Sequence, residues 1–201
     1  MKEVSMNKEV SMNKEARLSP HFTLGELCKT SYHTTDGNIP SRQAIENLKN
    51  ICENWLEDLR YSYNQLYGDP QPVSPPESGG ARGGLNACKS LHVQTPPAPP
   101  NLGGEEITEI PIIINSGYRS EEVNRKCGGA KGSNHLTGCA VDIHCYGPEQ
   151  MIRMAGILLD IADGTKRDFD ELILEKRGTT YWIHFAVRPS GNRRKILFDC
   201  H

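Results

Sequence analysis

The sequence predicts an α+β fold, with an antiparallel sheet and helices packed on one side of it. Three observations lead there. An amphipathic helical stretch comes early in the chain, and a second follows residue 147. Short apolar runs rich in β-branched and aromatic residues then crowd the second half.

The elements follow in order. KEVSMN occurs twice in succession at the start and MNKEA follows, which reads as a duplicated leader because a coiled-coil seam needs about three or four heptads. Residues 1–17 are therefore expected to be a repetitive, mobile leader, and residues 18–201 a single domain whose first folded segment is HFTLGEL, 21–27. In the next stretch Ile45, Leu48, Ile51, Trp55, Leu56, Leu59 and Leu66 recur at helical spacing, and Pro40 sits near the start, where its missing N–H does no harm. Residues 68–106 are dominated by Pro and Gly, with no apolar period. Such a segment cannot bury enough surface to offset its chain entropy, so it is expected to be a mostly irregular insertion, with His92 in it solvated.

ITEIPIIIN, 107–115, reads as a buried strand. SEEVNRKCGG reads as a short helix capped by Ser120 and stopped by Gly128 and Gly129. CAVDIHC, 139–145, is a strand; the helix after it has Pro148 in its first turn and Gly164 just past its end. FDELILE (169–175), YWIHFAV (181–187) and KILFD (195–199) are three more strands, the first two joined as a hairpin through KRGTT.

Composition excludes several classes. The net charge is −2, and no basic stripe with interleaved aromatics appears, so nucleic acid is not an expected partner. No run approaches the roughly 18 apolar residues of a membrane span. The N-terminus has charges but no apolar h-region, so the chain is expected to be cytoplasmic as synthesised, with a holin-type route to the cell wall as the alternative. It is expected to be a monomer. Seven cysteines, an odd number with no CxxC pair, argue against a disulfide framework.

Chemistry concentrates in SNHLTGCAVDIH, where His135 precedes Asp142 by seven residues. That spacing across a glycine does not fit one helix face; it fits a loop histidine folding back over a strand aspartate. His184 in YWIHFAV is the third candidate, on a separate strand. Two imidazoles and a carboxylate are a borderline-soft set suited to Zn²⁺, and three protein ligands leave a fourth position for water. Cys139 and Cys145 flank the motif and are either ligands or small semi-buried strand residues.

SGYRSEEVN (116–124), SNHLTGCAVDI (133–143) and the later WIHFAV resemble the M15 peptidases, zinc D-alanyl-D-alanine carboxypeptidases and related murein peptidases, whose pattern is S-G-[YF]-R-S, S-x-H-x-x-G-x-A-x-D and W-x-H. The resemblance covers roughly 20–66 and 107–199. It implies zinc ligation by His135, Asp142 and His184, and a role for Arg119 in binding or polarising substrate near a C-terminal carboxylate, for which a guanidinium fork is geometrically suited. It implies hydrolysis of peptide bonds in a peptidoglycan stem peptide or another D-Ala-containing peptide.

The same constellation occurs in the hedgehog signalling domain, which keeps the metal in a signalling role. A non-catalytic, zinc-stabilised module that binds murein or a protein is therefore the second expectation. The family's acidic residue two or three positions before the last ligand is replaced here by Tyr181 and Trp182. Glu175, at the end of the preceding strand, is the substitute general base; Glu171 and then Asp170 are fallbacks. His144 and Trp182 should share faces with Asp142 and His184, respectively. Ser116 and Ser133 are expected in turns and caps.

Overall fold

A computed structural model describes residues 13–68 and 109–200. The repeated leader up to residue 12, and nearly all of the Pro/Gly-rich insertion, lie outside the described residues. The chain enters through a bridge between Arg17 and Thr23 and a single turn, α1 (Leu24–Leu27). The long helix then runs as α2 (Arg42–Ile51), a π-helical turn (Cys52–Leu56) and α3 (Glu57–Tyr67) without a break. Ser41 caps it, its Oγ accepting from Ala44 N at 3.2 Å. Leu48, Ile51, Trp55, Leu56 and Leu59 are buried as their spacing predicts, whereas Leu66, in the last turn, is exposed.

Five strands follow: β1 (Ile114–Ser116), β2 (Ala140–Cys145), β3 (Glu171–Arg177), β4 (Thr180–Ala186) and β5 (Lys195–Cys200). Between them lie α4 (Glu121–Lys126) and α5 (Pro148–Thr165). The sheet order is β1-β2-β4-β3-β5. The expected antiparallel sheet is in fact mixed, because β5 pairs parallel to β3. Both edges of β4 are taken by β2 and β3, so the segment after β4 crosses the start of β3, where Arg194 N donates to Phe169 O at 2.9 Å and Lys195 N to Asp170 O at 3.0 Å. It then lays β5 on the outer edge.

Two further expectations are corrected. The strand over 107–115 shrinks to Ile114–Ser116: Pro111 cannot donate to a ladder, and Asn64 takes the polar groups of Ile110, accepting from its N at 2.7 Å and donating to its O at 3.0 Å. Gly164 lies inside α5, which ends one residue further on, and Lys166 takes the left-handed cap with φ 55°.

Alternation along the strands divides the sheet into two faces. Val141, Ile143, Leu172, Leu174, Ile183 and Phe185 are buried on one of them. The long helix and α5 cover this face. Trp55 is the hub, edge-on to Phe185 and Phe169 with ring centroids 5.0 and 6.4 Å away. The opposite face carries Asp142, His184, Glu171 and Glu175, so the apolar face fixes the frame on which the polar face is displayed. Replacing Trp55 by Ala should cost about 3–5 kcal/mol through the cavity left behind. Urea unfolding would show this as a lower midpoint, and an unchanged midpoint would contradict the packing described.

Candidate metal centre

Asp142 on β2 and His184 on β4 are direct cross-strand partners, so sheet register alone sets a carboxylate beside an imidazole. His135 arrives from outside the sheet on a 3₁₀ turn, Asn134–Thr137, capped by Ser133, whose Oγ accepts from His135 N at 3.3 Å. The turn closes at Gly138, with φ 69°, where a β-carbon would fall on the Ala44 carbonyl oxygen; only glycine fits. That tight exit into β2 is how seven residues bring His135 back over Asp142. Gly117 is constrained in the same way by the Leu27 carbonyl.

His135 Nδ1 donates to the Gly117 carbonyl at 2.5 Å, which leaves the Nε2 lone pair facing the site. His135 Nε2 lies 3.2 Å from both Asp142 Oδ1 and His184 Nδ1, and the latter two are 3.0 Å apart. This triangle is a group that could hold a metal ion. Donors about 2.0–2.1 Å from a tetrahedral zinc ion stand about 3.3–3.4 Å from one another, so the triangle fits zinc with a slight opening, and its two imidazoles and carboxylate are a suitable donor set.

Each donor group has an outer partner that orients it. Gly117 O serves His135. Arg119 Nη2 pairs with Asp142 Oδ2, and Arg119 Nε donates to Ser116 Oγ at 2.8 Å. Ser116 stands opposite Asp142 across a β1 irregularity. His184 Nε2 faces Glu171 Oε2 at 3.7 Å.

These contacts set the ionisation. Burial keeps the pKa of His135 below its ordinary value, favouring the neutral, ligating form. Burial also opposes the charge of His184, but Asp142 and Glu171 prevail and raise it to about 9. Burial disfavours ionised Asp142, yet His135, His184 and Arg119 together hold it well below the carboxylate range. Glu171 is held at about 2 by His184, against its own burial and with help from Arg193 and Lys195. Glu175 goes the other way: burial raises it, repulsion from Asp142 adds to that, and His184 only partly offsets them.

Every predicted site residue lies on or against this face. Glu175 is the register partner of Trp182, one step along the hairpin from His184, and both Glu175 and His184 line a cleft of about 300 Å³. His144 pairs with Trp182 on the same face, and its ring meets Tyr146 edge-on at 4.9 Å. Arg119 reaches the centre through Asp142 rather than through the cleft.

Cys139 and Cys145 are buried, and both thiols are pushed upward by burial, Cys145 to about 12. They stand outside the donor triangle as unpaired small residues. Asp170, the last candidate base, is fully buried and gripped by Arg193, with two contacts of 2.7 Å, and by Asn134 at 2.9 Å. Sequence reasoning missed the Gly117 carbonyl, Asn134 and the arginines of the segment after β4. A backbone carbonyl leaves no composition signal, and GNRR reads as an ordinary charged loop.

Fold and site together define a class: an α+β domain with a candidate His-Asp-His metal centre at the open face of its sheet. Residues 105–165 match the family model described as Peptidase M15, so this part of the chain is similar to M15 peptidases. The matched stretch carries Arg119, His135 and Asp142 and stops before Glu175 and His184; the third donor is supplied by strand pairing. No curated protein matches the chain.

Arg119→Ala should weaken zinc binding about 10–100-fold by freeing Asp142 Oδ2. Competition against a chromophoric chelator measures this, and unchanged affinity would remove Arg119 from the centre.

Proposed function

We propose that the chain is a zinc-dependent peptidase acting on bacterial cell-wall peptides, a peptidoglycan stem peptide or another D-Ala-containing peptide, with Glu175 as general base. The observation that carries this reading is the convergence of His135 Nε2, Asp142 Oδ1 and His184 Nδ1 at 3.0–3.2 Å beside a cleft that Glu175 also lines.

His135, Asp142 and His184 would hold zinc. When bound there, zinc supplies Lewis acidity, polarising a carbonyl and acidifying a water to a pKa of about 7. The chain's own groups do the rest. Glu175 takes the proton of the attacking water on a carboxylate oxygen and returns it to the leaving amine. Its raised pKa brings it nearer to the operating range, where proton transfer in both directions is efficient. Glu171 is a poor base because His184, Arg193 and Lys195 hold its proton affinity too low. Its task is to orient His184. Arg119 holds Asp142 with one oxygen turned to the centre, and the Trp182 indole hydrogen-bonds to the Glu175 carboxylate.

The absence of an acid at positions 181 and 182 favours a second reading, a zinc-stabilised module that binds murein or a protein without turnover.

Digestion of purified sacculi, or of a peptide ending in D-Ala-D-Ala, separates the two. Glu175→Gln should lower kcat by about 10²–10⁴-fold while zinc stoichiometry stays unchanged. A wild-type protein that holds one zinc per chain and releases nothing would establish the binding module.

A further inference from the structure

The sheet ends on two unlike edges. One is β1, three residues long, and the loop after it is tied to α1, with Tyr118 N donating to Leu27 O at 2.8 Å. The other is β5, six residues paired with β3 on one side and, among the described residues, with no strand on the other. An open apolar edge invites pairing with another chain, and proteins blunt such edges with proline, bulges or a covering loop. β5 has none of these protections. KILFDC contains no proline, its register with β3 runs unbroken from Lys195 to Cys200, and Ile196, Leu197 and Phe198 are exposed, Phe198 at 71%. Its two charges, Lys195 and Asp199, flank these three residues.

The ladder fixes what this edge offers. Lys195 N donates to Asp170 O at 3.0 Å, so the backbone groups of Lys195, Leu197 and Asp199 are turned to β3. The N–H and C=O groups of Ile196 and Phe198 are turned outward. Side chains alternate too: Lys195, Leu197 and Asp199 share the face of Glu171 and Glu175, while Ile196 and Phe198 share that of Leu172 and Leu174. Antiparallel pairing of two copies of β5 about a two-fold axis at Leu197 satisfies both alternations. Ile196 then lies opposite the second copy's Phe198, outward groups against outward groups. Lys195 lies opposite the second copy's Asp199, and Leu197 opposite itself. Moving the axis to Ile196 sets Lys195 against Leu197, and moving it to Phe198 sets Leu197 against Asp199. Either shift loses the charge match.

We propose that β5 is the interface of a homodimer, in which two copies of the chain join edge to edge in this register to form one continuous sheet. A second copy is the occupant because the edge is complementary to itself: its cation meets its anion, its apolar side chains meet one another, and a closed two-fold uses up the open edge. Lys195, Leu197 and Asp199 of both copies fall on one side of the joined sheet, so the two candidate metal centres open in the same direction. A strand-edge contact belongs to the small class of interfaces, below about 1,200 Å², so dimer and monomer exchange. The sequence led to the expectation of a monomer. The open edge departs from it because it arises from the parallel docking of β5 on β3.

Analytical ultracentrifugation of the full chain from about 1 µM to about 1 mM should show monomer giving way to a species of twice its mass. Phe198→Lys, at an exposed position outside the core, should abolish that species. Lys195→Asp and Asp199→Lys should each weaken association roughly 10-fold, because each sets like charges opposite one another in both symmetry-related pairs. Mixed together, these two variants should associate again as a heterodimer, since each carries the charges that the other lacks. Circular dichroism checks that all three variants fold. A wild type that stays monomeric over the whole range would overturn the proposal and leave the edge to an occupant of another sequence. A dimer that survives Phe198→Lys would overturn it by placing the interface elsewhere. A mixture that associates no better than its separate components would overturn the register.

Discussion

A carboxylate shut inside a protein must be compensated on both oxygens, and at Asp142 this requirement organises the domain. Burying an ion costs several kcal/mol before its partners are counted, and leaving it unpaired costs about 3–5 kcal/mol. Asp142 is 7% exposed and is met from three separate elements: an arginine after β1 and an imidazole from β4 pair with it, and the lone pair of a second imidazole, on a 3₁₀ turn, converges on the same oxygen as a candidate donor to a cation. None of these is local in sequence to the other two. The apolar face of the sheet supplies the rigidity that holds them in register; the tight turn at Gly138 and the close approach of Gly117 to the Leu27 carbonyl bring the two loops close enough. Asn38 secures the first of these loops from outside: its amide donates to Cys28 O and Tyr118 O, and its oxygen accepts from Ser120 N at 2.7 Å.

The two glutamates of β3 show how neighbours assign tasks to identical side chains. Glu171 and Glu175 lie four residues apart on one face of one strand. Glu171 sits among His184, Arg193 and Lys195, which fix its charge and make it a support for a donor group. Glu175 sits two residues nearer the turn than Ile173, across from Trp182, where burial raises its affinity for a proton. The distinction arises from the crossing segment before β5, which brings its cations to one end of the cleft only.

Much of the domain was legible in the sequence, for reasons that can be named. The early helix, α5 and four of the five strands follow from apolar periodicity, and the cap at Ser120 follows from its hydroxyl. His135, Asp142 and His184 were legible as candidate donors because their residue types suit zinc and because His135 had to leave a loop across a glycine. Their convergence was not legible, since it depends on β2 and β4 pairing with Asp142 opposite His184, a register that no local pattern encodes. The parallel docking of β5 was hidden for a similar reason: it follows from which strand edges remain open after the hairpin forms.

X-ray absorption at the zinc edge, on the full chain loaded with one equivalent of metal, tests the centre most directly. The account predicts a first shell of nitrogen and oxygen only, at about 2.0–2.2 Å, with the outer-ring scattering of two imidazoles. A sulfur scatterer at about 2.3 Å, or a shell with a single imidazole, would contradict it and move the centre towards Cys139 or Cys145.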